Sequence, residues 1–228
     1  MKKFTLKLRQ ALPALIYLAI YLCWFFLIER IPGRDYTIIH MKMDDKIPFC
    51  EYFIIPYLLW FAYVAWILIY LLFTNEKDFH RCCTFLFTGM TVFLIVSTLF
   101  PNIHYLRPST MPRDNIFTQL VSFLYKIDTS TNLWPSIHVY NSLGVYFAVM
   151  HNDRLSSKGY VKFTCFSLTT LIILSTVFLK QHSMFDVMTG ILMGALLYII
   201  VYRTDFLANT HARYLASQKR RQKNTRFN

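Results

Sequence analysis

Residues 52–73 read YFIIPYLLWFAYVAWILIYLLF, a stretch with no charged side chain. A helix needs about 20 apolar residues to cross a hydrocarbon core about 30 Å thick, and this run is long enough. Five further runs share its character, at 11–29, 84–100, 138–150, 160–179 and 187–206. Of the 228 residues, 55% are hydrophobic and only 16% charged. A soluble domain places charge on roughly 25–35% of its surface positions, and a disordered chain carries far less apolar bulk. Both classes are excluded. The expected fold is all-α: a single polytopic membrane bundle of six transmembrane helices over 1–228, ending in a basic tail at 207–228.

The first run follows Lys2, Lys3, Lys7 and Arg9, the flank of a signal peptide. Its apolar part is longer than a signal core and no small-x-small cleavage site follows, so a retained helix is expected. Six crossings put both termini on one side. On that side the N-terminus, the loops 74–83 and 151–162 and the tail from 203 hold 16 of the 24 Lys and Arg. The acidic residues divide four to eight in the opposite sense, so the whole net charge of +12 lies with the termini. Basic loops stay in the cytoplasm, which makes both termini cytoplasmic and the other face extracytoplasmic. The tail's Lys219-Arg220-Arg221 cluster is then expected to rest on anionic lipid rather than on nucleic acid. The five cysteines form no disulfide framework by spacing, and Cys82-Cys83 is expected at the cytoplasmic interface. Gly190 and Gly194 have the spacing of close helix packing within the bundle.

Three polar segments fall on the extracytoplasmic face once the spans are counted: Tyr105–Pro108, Trp134–His138 and Ser175–Asp186. If 182–186 is helical, Asp186 lies one turn beyond His182 and can accept from one ring nitrogen. The carboxylate then fixes the tautomer and leaves the other nitrogen free as nucleophile or base. The start of the fourth span offers unpaired backbone N–H groups and a positive dipole end, a seat for phosphate. Ser136 adds a hydroxyl there, Arg107 a planar fork suited to phosphate oxygens and Lys180 a second cation. His138 is placed to protonate a leaving oxygen. Such a set suits phosphoryl transfer through a phosphohistidine. The competing reading is a metal site of His138, His182 and Asp186, with His104 nearby in sequence. It has neither an HExxH pattern nor clustered cysteines, so no metal and no cofactor is expected.

The same residues resemble the type-2 phosphatidate phosphatase and vanadium haloperoxidase superfamily. Arg107-Pro108 matches the end of its Lys-x6-Arg-Pro motif, Pro135-Ser136-Ile137-His138 the whole of Pro-Ser-x-His, and Ser175, His182 and Asp186 the Ser-Arg-x5-His-x3-Asp motif. The resemblance implies His182 as nucleophile, Asp186 as its orienting acid and His138 as leaving-group acid. It implies Arg107, Ser136 and Ser175 on phosphate, with Lys180 as a replacement cation. Phe100 and Thr176 stand where the family has Lys and Arg. The Lys180-Gln181-His182 form resembles the inositolphosphotransferase-like branch. The implied activity is a metal-independent lipid phosphate phosphatase. Transfer of the head group to another lipid by the same site is the alternative, and a non-catalytic membrane protein the third. The implied partner is a lipid phosphate substrate.

Two further expectations concern shape. Within the loop 109–134, Ile116, Phe117, Leu120, Val121, Phe123, Leu124 and Ile127 recur at helical spacing, giving a short interfacial helix over Asn115–Ile127 capped by Asp114. The fourth span, from Ser136 to Met150, is about 22 Å long at 1.5 Å per residue. The site at its start is therefore expected to be slightly recessed, open sideways to lipid.

Overall fold

The computed structural model describes residues 2–204; the basic tail at 207–228 lies outside them. The order is α1 (Lys2–Glu29), α2 (Ile54–Thr74), α3 (Glu76–Leu99), α4 (Ile116–Ile127), α5 (Ile137–His151), α6 (Asp153–Ser156), α7 (Gly159–Phe178) and α8 (Met184–Tyr198). A 3-10 turn at Glu51–Phe53 leads into α2, and a π-helical stretch at Ile199–Arg203 extends α8. Strands are confined, among the described residues, to a two-residue parallel pair, β1 (Thr37–Ile38) on β2 (Asn102–Ile103). The chain is an all-α bundle with five helices long and apolar enough to cross a membrane. It is a multi-pass membrane protein.

The fourth run of the sequence, α5, is a 15-residue helix. It sits at the centre of the bundle, in contact with α2, α3, α7 and α8, and its residues are buried on most sides. Outward faces elsewhere are apolar and exposed, as at Leu58, Phe61, Ile69, Leu192 and Leu196. In lipid that pattern carries no hydrophobic cost. Cohesion then comes from close packing and from hydrogen bonds between helices. Tyr140 on α5 stacks on Phe85 at 4.6 Å between ring centroids and donates its hydroxyl to the Phe85 carbonyl. A Cβ at Gly190 would lie 2.9 Å from the Ser136 carbonyl oxygen, and one at Gly194 would lie 3.1 Å from Leu143. The small-residue pair therefore packs α8 against α5 inside one chain. It also brings the starts of the two helices together, and both starts carry histidines.

Two local expectations are corrected, and the cysteine pair gains a location. The short helix begins at Ile116, and its cap is Asn115, whose side chain accepts from Phe117 and Thr118 N–H. Asp114 instead meets Gln119. Asn115 wins because its amide also donates to Glu51, which Arg113 pairs with at 2.6 Å. Cys82 and Cys83, two turns into α3, are buried in the core among α2, α3 and α5, so their thiols face the bundle. Finally, α7 ends at Phe178 and α8 starts at Met184, so His182 lies in the turn between them and not on a helix.

Loops gather at one end of the bundle. Glu29, closing α1, accepts from Thr129, Thr131 and Asn132. Asn102 accepts from the N–H groups of Leu133 and Trp134 through its Oδ1. These ties fix the strand-like segment before α5, and hence the position where α5 starts.

Candidate active site

Five residues between α7 and α8 reverse the chain. Lys180 takes a left-handed backbone with φ 52°, and the Thr176 carbonyl accepts from both Gln181 and His182 N–H at 2.9 and 3.0 Å. Ser183 caps α8, its hydroxyl oxygen accepting from Phe185 N–H. Asp186, three residues into the cap, folds back so that Oδ2 accepts from Ser183 N–H at 3.0 Å. The same Oδ2 lies 3.3 Å from His182 Nδ1. The His182–Asp186 pair expected from i, i+4 spacing on a helix thus exists, but a capping box makes it.

On the other side of the pair, α5 begins at Ile137 with Ser136 as its cap. The Ser136 hydroxyl oxygen accepts from Val139 N–H at 3.4 Å, and Ser136 N–H reaches the Asp186 carbonyl at 3.3 Å. His138 stands one residue in, with Nδ1 3.4 Å from His182 Nε2. Its ring is held between Tyr57 and Trp60 of α2, at 4.7 and 4.4 Å between centroids. The result is an ordered string: Asp186 carboxylate, His182, His138, aromatic wall. Asp186 and Ser136 are fully buried and His182 nearly so.

The sequence-derived phosphate ligands are placed less uniformly. Arg107 reaches the rim of the pair. One terminal nitrogen donates to the Tyr125 and Asp128 carbonyls at 3.3 and 2.9 Å, and the other to the Thr129 carbonyl and to Gln181 Oε1. Its guanidinium also lies over the Tyr125 ring at 4.5 Å. Burial raises the Asp128 carboxyl above its ordinary range, against the Tyr57 hydrogen bond and the Arg107 charge. Lys180 turns away from the histidines: Nζ donates to the Asp44 and Ile47 carbonyls at 2.7 and 2.5 Å. Its left-handed backbone aims it there. Ser175 and Thr176 are both buried and spend their hydroxyls on the Ile172 and Ile173 carbonyls. Phe100 closes α3 and is exposed.

Several residues to which the sequence assigned no part in the site complete the arrangement. Asp44 is buried, and its carboxylate accepts from Ser183 Oγ–H at 2.6 Å, Met184 N–H at 2.8 Å and Met41 N–H at 2.8 Å. His104 donates from Nε2 to the Gln181 carbonyl at 2.9 Å, while Nδ1 accepts from Leu106 N–H at 3.3 Å. Burial holds this imidazole at a pKa of about 4, so it is neutral with both nitrogens engaged, and it is not available as a metal ligand. Tyr57 donates its hydroxyl to Asp128 at 3.0 Å. None of these has a spacing signal, because each acts across 70 residues or more. Gln181 was legible as the neighbour of His182, and His104 only as a neighbour of the competing metal set. Among the described residues no three His, Cys, Asp or Glu side chains converge as a metal-ligand set.

Residues 106–209 match the family described as the PAP2 superfamily. The matched segment contains Arg107, Ser136, His138, Ser175, Lys180, His182 and Asp186. No curated protein and no solved structure matches the chain.

Proposed function

We propose that the chain, which matches the PAP2 superfamily over residues 106–209, is a metal-independent lipid phosphate phosphatase of that kind working through a phosphohistidine. The observation that carries the reading is the string from Asp186 through His182 to His138. Asp186 accepts a hydrogen bond from Nδ1–H of His182, which holds the tautomer whose Nε2 lone pair is free for phosphorus. As the Nε2–P bond forms, the bond from phosphorus to the ester oxygen breaks, and His138 gives that oxygen a proton. Water, deprotonated by the same His138, then releases phosphate from His182.

In the structure the two facing nitrogens are 3.4 Å apart. Reacting atoms sit about 3–3.5 Å from one another and the leaving oxygen needs its own hydrogen bond of about 2.8 Å to His138. A bound phosphoryl group therefore parts the histidines. The substrate enters from lipid, with its tails among the exposed apolar faces of the helices. The basic loops support a site on the extracytoplasmic face with both termini cytoplasmic, and a tail resting on anionic lipid without nucleic acid.

One observation favours head-group transfer as a second reading. Lys180 Nζ and both terminal nitrogens of Arg107 donate to the chain's own acceptors, leaving Arg107 Nε as the unpaired N–H of the pair, and Phe100 and Thr176 are neutral. A phosphomonoester carries about −1.5 to −2 charge at neutral pH, whereas a diester carries one. A site with little free positive charge suits the diester and a lipid alcohol acceptor in place of water.

The test is phosphate release from a panel of phosphatidate, polyprenyl diphosphate and phosphodiester lipids, in EDTA, with and without diacylglycerol or ceramide. Release that survives EDTA, is blocked by vanadate and falls at least about 10³-fold in His182→Ala supports hydrolysis. Head-group transfer without release supports the second reading. Full activity in His182→Ala removes the nucleophile assignment.

A further inference from the structure

The contacts around the histidine pair close into a ring. Gln181 precedes His182 in the chain, its amide meets Arg107, Arg107 meets the Asp128 carbonyl, Asp128 accepts from Tyr57, and the Tyr57 ring lies against His138. His138 returns to His182. Gln181 is the member of this ring whose chemistry is unspent. An arginine side chain only donates, so the atom that Gln181 turns toward Arg107 must be the amide oxygen. Its Nε2, a donor of two hydrogens, then faces elsewhere.

That nitrogen is buried and has no partner among the described residues, although Gln181 is fully enclosed. Arg107 Nε is in the same condition, and so is Nε1 of Trp60, whose ring lies on His138. Buried polar groups are nearly always paired, and an unpaired one costs about 1–3 kcal/mol. Asp186 Oδ1 is the one unpaired acceptor in the pair itself among the described residues. The Gln181 and Arg107 donors, joined by their own hydrogen bond next to His182 in the chain, and the Trp60 indole on the His138 side are instead complementary to a ligand rich in acceptor oxygens.

We propose that Gln181 is a substrate-binding residue, its Nε2 donating to a non-bridging oxygen of the phosphoryl group held at His182, beside Arg107 Nε. The assignment rests on the reading of His182 as the reacting group. It gives Gln181 two separate duties: the amide oxygen anchors Arg107, and the amide nitrogen grips substrate. Neutral amide and indole donors here take the part of the cations missing at Phe100 and Thr176.

The decisive variant is Gln181→Glu in the full chain, purified in detergent. Glutamate keeps an oxygen for Arg107 but turns the free donor into a second acceptor that repels phosphate. A residue that only anchors Arg107 tolerates this change; a substrate donor does not. We expect wild-type thermal unfolding, with vanadate inhibition weakened at least tenfold (about 1.4 kcal/mol) and KM raised to match. Vanadate inhibition within twofold of wild type overturns the proposal while leaving the phosphohistidine reading intact. Wild-type protein that neither turns over nor binds vanadate overturns that reading, and this one with it.

If Gln181→Glu does not fold, wild-type protein labelled with ¹⁵N-glutamine answers instead. Its five glutamines give five side-chain amide pairs, of which vanadate should shift one, absent in Gln181→Met. Five unmoved pairs at saturating vanadate overturn the proposal.

Discussion

The two halves of the chain contribute to the site in different ways. The half matched by the family, 106–209, holds the groups to which we assign chemistry: His138, His182, Asp186, Arg107 and Gln181. The half before it supplies what holds them. Tyr57 and Trp60 wall His138, His104 splints the Gln181 carbonyl, Glu29 ties the segment before α5, and Asp44 clamps the start of α8. A reactive group is tied to its neighbours by the spacing its reaction demands, while a supporting group has only to arrive at the right place from anywhere. The difference implies that substitutions in the first half, Trp60 with its unpaired indole N–H excepted, should act on stability and turnover together, leaving recognition of phosphate alone.

Asp44 gives the largest expected departure. Its carboxylate ties the 41–47 loop to Ser183 and Met184 across about 140 residues of chain, and Ser183 N–H in turn holds the Asp186 oxygen that faces His182. Asp44→Ala leaves a buried hydroxyl and two backbone N–H groups unpaired. Unfolding free energy should fall by roughly 3 kcal/mol or more. Turnover should fall about tenfold with KM near wild type, as read by denaturation in detergent and steady-state kinetics. A change confined to KM would break the division between halves, because Asp44 would then be a substrate ligand.

This clamp also marks where the sequence stops being informative. Hydrophobic run length disclosed the bundle, since each long helix answers to a single physical demand, the thickness of the membrane. Motif spacing disclosed His138, His182 and Asp186. It misjudged how the last two meet, because a five-residue backbone reversal and a capping box bring them together where a helical face was expected. Lys180 shows the limit most plainly. Its charge sits two residues from His182, the proposed nucleophile, yet one left-handed residue sends it to the Asp44 and Ile47 carbonyls. Likewise the Asn115 cap depends on Glu51, which no local pattern connects to it. Contacts of that kind are tertiary facts with no period in the chain.

His104 offers a pH test of the same comparison. Folding holds its pKa at about 4 through burial, against 6.5 for an exposed imidazole. The folded value is depressed, so the stabilisation is complete above about 6.5 and is lost as pH falls toward 4. Over that window the unfolded chain takes up a proton that the folded chain refuses, at a cost on the order of 3 kcal/mol. His104→Gln, whose amide can still donate to the Gln181 carbonyl, should lose about that much of the acid sensitivity when unfolding is compared at pH 7 and pH 4. An unchanged acid dependence would mean that the 103–107 loop separates from the 180–182 turn before His104 is protonated, and that the splint is not what holds it.

Lys180 makes the finest test, since it lies within the family-matched half yet is built like a support. Burial lowers its pKa, with Asp44 and Asp45 opposing, and two carbonyls occupy its ammonium. Methionine keeps the stem and removes the donors. If the ammonium serves the 44–47 loop, Lys180→Met should cost about 1–2 kcal/mol of stability and leave the vanadate inhibition constant within twofold. Were it a phosphate ligand, loss of a charge-assisted hydrogen bond would weaken vanadate by tenfold or more with little effect on unfolding. The two outcomes move opposite observables, so the variant decides whether the boundary between acting and supporting residues follows the matched segment or follows the direction in which each side chain points.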